Sequence, residues 1–194
     1  MTSTQKYYQD NAKRFIEETL HKDMHTQYAF FEKYIPRTSS ILDAGCGSGR
    51  DSLYFKVKGH QVTAFDNSQQ MCSFASSLLG QEVLHLGFEA LDFENRFDAI
   101  WASASLLHIS KEQMPDILQK LATALKDKGT AYASFKYGKD EFLKEGRFFN
   151  AYTEESFRDL IATTPFSCTE MLVLKDTRPQ REDESWLNII LQLA

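Results

Sequence analysis

The sequence predicts a doubly wound α/β domain on a mostly parallel sheet, and three observations predict it. Short apolar runs alternate with segments of helical period along most of the 194 residues, the order expected of parallel strands joined by helices that cover both faces. The run Ile41-Leu42-Asp43-Ala44 passes straight into Gly45-Cys46-Gly47-Ser48-Gly49 and then into a helical stretch, a junction typical of open α/β sheets. Acidic residues mark the ends of this run, at Asp43, and of the next, Gln61-Val62-Thr63-Ala64-Phe65-Asp66.

Each element has its own signal. Residues 4–34 read as helix, because Tyr7, Tyr8, Phe15, Ile16, Leu20, Met24, Tyr28, Phe31 and Tyr34 recur at roughly helical spacing before Pro36 stops the run. Arg50 to Val57 forms the helix after the glycines, and Lys58-Gly59-His60 turns the chain into the second strand. Ser68 is placed to N-cap the following helix, with Met71 one turn in. Val83 to Gly87 reads as a third strand and Phe97 to Ser103 as a fourth, continuous enough in apolar character to be buried on both faces. Ser110 is expected to cap a helix to about Lys126, with Glu112 and Gln113 in its first turn and Asp127-Lys128-Gly129 at its end. Thr130 to Lys136 is the fifth strand. Thr153-Glu154-Glu155-Ser156 opens a capped helix to about Ala162, and Phe166 to Lys175 and Trp186 to Leu193 are two final strands around a charged turn, Asp176 to Glu184.

Bulk properties bound the function. The length fits one domain over residues 1–194. A formal net charge of −5 leaves no electrostatic footprint for a nucleic-acid backbone. The apolar runs fall far short of the roughly 20 residues that span a bilayer, and the start of the chain lacks the apolar core of a signal peptide. The expectation is a cytoplasmic protein with no membrane partner, as a monomer or homodimer. Three widely spaced cysteines, Cys46, Cys72 and Cys168, with no C-x-x-C, read as free thiols and indicate no metal site.

The glycine loop is where the chemistry is sited. Glycines at alternate positions let a ligand lie against bare backbone, and the helix that follows points its free N–H groups at the same place. The dinucleotide fingerprint G-x-G-x-x-G is not met, because Arg50 stands where its third glycine would fall. Asp66 lies about twenty residues past the loop, where a carboxylate accepts hydrogen bonds from adenosine ribose hydroxyls. That chemistry is common to NAD and S-adenosylmethionine. Asp43-x-Gly45-x-Gly47-x-Gly49 resembles motif I of the class I S-adenosylmethionine-dependent methyltransferases, and Val62-Thr63-Ala64-Phe65-Asp66-Asn67-Ser68 resembles the same family's acidic strand-two motif. The resemblance continues through Arg96-Phe97-Asp98-Ala99-Ile100-Trp101 and Leu106-Leu107-His108, so it covers residues 38 to 136, about half the chain.

The resemblance implies a Rossmann-like seven-stranded sheet of order 3-2-1-4-5-7-6 with strand seven antiparallel. It implies S-adenosylmethionine as the cofactor, held by Asp43, Gly45, Cys46, Gly47, Gly49, Arg50, Asp66 and Asn67. Residues 1–36 become a helical lid, with Tyr8 over the cofactor. Met71 is either core or a flat contact for adenine. Where the family commonly carries an Asp for the adenine amino group this chain has Phe88 and Glu89, so either Glu89 takes that group or backbone does while Phe88 stacks. Ala102 and Ser103 offer backbone carbonyls to the methionine amine, with the charge of Asp43 nearby. His108 is either a satisfied histidine at a helix start or a general base, since its ordinary pKa suits it to accept a proton.

Residues 137–152 are too long and too aromatic for a plain connection and read as a substrate-pocket insertion, with Tyr152 in it. Arg147 and Arg178 are the cations that, turned inward, would hold an anionic substrate group bidentately. The expected activity is methyl transfer to a small-molecule acceptor, in which the protein mainly supplies proximity and alignment. Two alternatives stand beside it: a non-catalytic S-adenosylmethionine-binding regulatory module, and an NAD-dependent oxidoreductase.

Overall fold

A computed structural model of the chain describes residues 2–176, 178, 181 and 183–193. The leading segment forms three short helices where its spacing predicts one: α1 (Ser3–Asp10), α2 (Ala12–Thr19) and α3 (His25–Glu32). The breaks fall where side chains compete with the helical ladder. At Asn11, with φ −115° and ψ 16°, the side-chain amide donates to the Tyr7 carbonyl. Before α3, Asp23 accepts the backbone N–H of His25.

The strand β1 (Ser40–Ala44) lies between β2 (Gln61–Asp66) and β4 (Phe97–Ala102), parallel to both. The third strand, β3 (Leu84–His85), is shorter than expected and pairs with β2. On the other side β5 (Leu125–Tyr137) runs parallel to β4, and β9 (Ser185–Leu193) runs antiparallel to β5, with β8 (Phe166–Lys175) outermost. These seven follow the expected order, with β9 and β8 in the places of strands seven and six. The sheet nevertheless has nine strands. The additional pair, β6 (Glu141–Lys144) and β7 (Arg147–Tyr152), is a hairpin built from the predicted insertion. Glu145 and Gly146 close it, both with positive φ (52° and 77°), as tight hairpin turns require. Lys136 and Tyr137 of β5 pair with Ala151 and Tyr152, while Lys136 also faces Trp186 of β9. The hairpin therefore continues the line of β4 past that strand's carboxyl end.

Consecutive residues of β1 face opposite sides of the sheet. Ile41 packs with Phe31 of α3 and Phe55 of α4 (Arg50–Val57), and Trp101 stacks on Tyr132 in the same layer at 3.9 Å. Leu42 packs on the other side with α6 (Met114–Ala124) and α7 (Glu154–Ile161) through Leu118, Leu121 and Phe157. The remaining helix, α5 (Gln69–Leu79), covers Ala64 of β2 and is capped by Ser68, whose hydroxyl accepts the Met71 N–H. The Thr153–Ser156 capping box opens α7 as predicted. In contrast, Ser110 caps only the turn before α6, and β5 starts at Leu125 with a shift of register at its base, so the expected 127–129 turn is absorbed as an irregularity in the strand. No helix among the described residues is long and apolar enough to cross a membrane. The three cysteines are free.

Candidate functional site

Parallel strands β1, β4 and β5 end on one edge of the sheet, and a cleft of about 670 Å³ opens there. One half of it is built from the glycine loop. The N–H groups of Gly45 and Cys46 both donate to the Phe65 carbonyl, at 3.0 and 2.9 Å, which seats the loop on β2. Asp66 accepts from Gly47 N–H and Ser68 N–H, each at 2.8 Å. Burial raises the Asp66 pKa, an effect partly offset by those N–H groups.

Two glycines are required sterically. Gly45 has φ +78°, and a Cβ there would lie 2.5 Å from the Cβ of Ser105. Gly49 has φ +79° and leaves 3.0 Å to Ala75, so it serves the packing of α5 and does not line the cleft. Ser105, whose hydroxyl donates to the Ala44 carbonyl at 2.6 Å, and Ser134, which accepts the Ala104 N–H at 2.8 Å, hold the turn after β4 in place. That turn contains Ala104 at φ 52°, a conformation non-glycine residues adopt at a cost and often at functional sites. Small residues were the only trace of these supports in the sequence.

The expected cofactor residues divide. Gly45, Cys46, Gly47 and Arg50 line the cleft from the loop; Asp66, Asn67 and Met71 line it from the end of β2 and the start of α5. Phe88, Glu89 and Ser103 line it from the turns after β3 and β4, and Tyr8 reaches it from α1. Phe88 is buried edge-on against Phe65, while Glu89 is exposed. Met71 is buried among Ala12, Ile16, Tyr8 and Phe15, so it is core and cleft wall together.

Asp43 and Ala102 do not line the cleft. Asp43 is 2% exposed and accepts the Ser52 hydroxyl at 2.6 Å. Burial, with Asp51 adding to it, pushes its pKa up to about 8. It pins α4 to the end of β1 behind the cleft wall, where burial favours its protonated form. Ala102 has its side chain in the core.

Asp51 is the carboxylate that the sequence reading passed over. Its oxygens accept from Tyr28 at 2.5 Å, from Trp101 Nε1 at 2.8 Å and from Arg50 through two nitrogens at 2.6 and 2.9 Å. Burial opposes its ionisation, yet Arg50 and these donors hold the pKa below the usual range. Arg50 also donates to the Thr19 carbonyl, which ties α2 to the loop.

The other half of the cleft comes from α1, the turn after β4, and the hairpin. His108 Nδ1 faces the Phe148 carbonyl at 2.6 Å, so that nitrogen carries the proton, and Nε2 accepts from the Tyr8 hydroxyl at 2.9 Å. Burial lowers its pKa to about 4, the Phe148 carbonyl opposing and Arg147 assisting. Thr4 accepts the Phe148 N–H at 2.9 Å, a second tie between α1 and the hairpin. Burial pushes the Tyr8 phenol up to about 12, although the nearby Arg147 guanidinium pulls it down. Arg147 is 7% exposed and lines the cleft; Glu145 holds one of its amino nitrogens at 2.8 Å.

The other expected substrate residues are committed elsewhere. Arg178 lines the cleft, but its guanidinium is bound to Asp176 through Nε at 3.0 Å and Nη2 at 2.5 Å. Tyr152 does not line the cleft: its hydroxyl accepts from Asn150 and its ring packs on Phe135 and Phe157 at the base of the hairpin.

Comparison with known proteins bears on this geometry. Residues 41–129 match the family model described as a methyltransferase domain. An uncharacterized methyltransferase of Staphylococcus carnosus is 26% identical over 144 residues, covering 69% of this chain and 70% of the relative. The probable S-adenosyl-L-methionine-dependent methyltransferase TehB of Haemophilus influenzae is 27% identical over 86 residues, 42% of this chain and 30% of its own length. Among solved structures, the 1,6-didemethyltoxoflavin-N1-methyltransferase of Burkholderia thailandensis, with bound 1,6-didemethyltoxoflavin and S-adenosylhomocysteine, superimposes with a TM-score of 0.81. It is 22% identical and the match covers 97% of this chain and 84% of that one, a likeness of fold.

Proposed function

The chain belongs to the class I S-adenosylmethionine-dependent methyltransferases, and on that premise we propose that its cleft holds S-adenosylmethionine beside a small-molecule acceptor and transfers the methyl group between them. The observation that carries this reading is Asp66, a carboxylate at the end of β2 that lines the cleft while each of its oxygens accepts one backbone N–H, from Gly47 and from Ser68. It is suited to accept two ribose hydroxyls. The bare backbone at Gly47, where a Cβ would meet nothing nearer than Phe15 at 3.8 Å, leaves room for the amino-acid arm. Met71 and Phe88 supply apolar surface for adenine; Asn67 and Glu89 lie at its rim, Cys46 and Ser103 line the arm, and Tyr8 covers the site from α1.

S-adenosylmethionine supplies a methyl made electrophilic by its sulfonium. The residues of this chain bind, orient and exclude water, and alignment of this kind is worth up to roughly 7–11 kcal/mol of barrier. His108 acts as a positioning residue. Its one lone pair is taken by Tyr8, and burial, with Arg147 adding to it, disfavours its protonation, which favours a positioning role over a general base. The chain works as one domain in which residues 1–36 form the lid, fastened to the 137–152 insertion by Tyr8 and Thr4. Both halves of the cleft come from one chain, which suits a monomer or a homodimer, and the free thiols suit the cytoplasm. The acceptor bound by the Burkholderia enzyme, a small molecule, favours an acceptor of that size here.

Calorimetric titration with S-adenosylhomocysteine tests the reading, with Asp66→Ala and NADH as controls. Micromolar binding by the wild type, lost in the variant and absent for NADH, is the expected outcome. Failure of the wild type to bind S-adenosylhomocysteine would overturn it.

A further inference from the structure

Arg147 carries an unsatisfied donor. Its Nε is fully buried with no hydrogen-bond partner among the described residues, in a residue 7% exposed on the cleft wall. A buried donor left unpaired in a native structure asks for a partner. The guanidinium lies 4.3 Å from the Tyr7 ring centre and 5.2 Å from that of Phe149, with Glu145 on an amino nitrogen. Around it the cleft is lined by Phe149, Leu107, Ile109 and the ring of Tyr8. Phe149 is itself braced by Phe142, stacked at 5.3 Å. His108 is already paired, to Tyr8 and to Phe148, and the Tyr8 oxygen lies close enough to the guanidinium for Arg147 to pull its pKa down.

We propose that Arg147 determines acceptor specificity by donating from the part of its guanidinium that Glu145 does not hold to a single oxygen on a largely apolar acceptor, such as the ring carbonyl of an aromatic or heteroaromatic lactam. A fork-on-fork carboxylate contact, expected from the sequence, does not fit, because Glu145 already occupies part of the fork and meets its charge. The inference rests on the cleft being the acceptor site beside S-adenosylmethionine.

The test uses protein saturated with S-adenosylhomocysteine and ligand-observed NMR with matched pairs: pyridine and 2-pyridone, quinoline and 2-quinolone, pteridine and lumazine, with benzoate as the anionic probe. The wild type should bind the carbonyl member of at least one pair at least tenfold more tightly than its partner. Arg147→Met should abolish that preference while S-adenosylhomocysteine affinity stays within about twofold, and Arg147→Lys should restore it in part. A wild type that prefers no carbonyl member, or a preference that survives Arg147→Met, overturns the proposal. Benzoate binding that is tighter than that of any carbonyl member and depends on Arg147 overturns it in favour of an anion. Failure of S-adenosylhomocysteine to bind the wild type strikes the underlying reading instead, and is seen before any probe is added.

Discussion

The two halves of the cleft are assembled differently. In the cofactor half the groups that fix the Asp66 carboxylate are close in sequence: Gly47 donates to it from 19 residues away and Ser68 from two. In the acceptor half the contacts span the chain, with Tyr8 and His108 100 residues apart and Thr4 and Phe148 144 apart. Local contacts cost little chain entropy to close, whereas distant ones depend on the whole sheet being in place. The carboxylate of the cofactor half is therefore fixed by short-range contacts, and the acceptor half is held by a few ties between a short N-terminal helix and a hairpin.

The contrast is most easily broken at Asp51, the carboxylate behind the loop. Asp51→Ala strands Arg50 and leaves Tyr28 and Trp101 without their acceptor, and loss of one partner of a buried ion pair costs about 3–5 kcal/mol. Urea denaturation should show a loss of that size; a change below about 1 kcal/mol, the range of exposed pairs, would mean the network is not structural.

Next in size is Asp66→Ala, expected to weaken S-adenosylhomocysteine at least a hundredfold, about 2.7 kcal/mol, with some loss of Tm because the Gly47 and Ser68 N–H groups lose their acceptor. If the acceptor half changes affinity for this ligand as strongly as Asp66 does, the division into halves is wrong. Arg147→Met is the comparison to run beside it.

The halves should also differ in the sign of their pH dependence. The folded-state pKa of Asp43 is raised from 3.8 to about 8 by burial. Its stabilising contribution is then present below pH 3.8 and is lost as pH rises to about 8, because the unfolded carboxyl gives up its proton first. Relative to Asp43→Asn, the ligand-free wild type should lose stability between pH 5 and 8, by at most about 1.4 kcal/mol per pH unit. His108 behaves oppositely. Its folded pKa is lowered from 6.5 to about 4, so acidification across that window protonates the unfolded chain first and removes stability. His108→Gln should flatten the acid limb and leave the alkaline one. Parallel profiles for wild type and both variants would show that neither group titrates as its burial demands.

The smallest effect is expected at Tyr8→Phe. One hydrogen bond to His108 is lost, worth about 1 kcal/mol net. Faster amide exchange in α1, with global stability nearly unchanged, is the measurement. Unchanged exchange in α1 would remove the Tyr8 tie from the account of the lid.

Legibility followed the same division. The loop, Asp66 and the seven main strands could be read because period, glycine spacing and caps act over a few residues. Glu145-Gly146 was a hairpin turn signal in plain view, but the charged residues on either side masked the alternation of Phe142 and Phe149. Three helices in place of one followed from Asn11 and Asp23, whose side chains take backbone partners that helical spacing does not reveal.

What the sequence by itself determined is the order of strands and helices, the bare-backbone loop and the carboxylate beside it, since each rests on neighbours along the chain. Tertiary structure alone decided which charges face a ligand. Burial favours the protonated form of Asp43 behind the loop, Arg178 is spent on Asp176, and Asp51 rather than Asp43 is the buried carboxylate paired with a cation. Arg147 is left with a donor for something else. The physical reason is that the charge state and pairing of a side chain depend on burial and on partners brought in from distant segments, and neither is set by the residue's own neighbours in sequence.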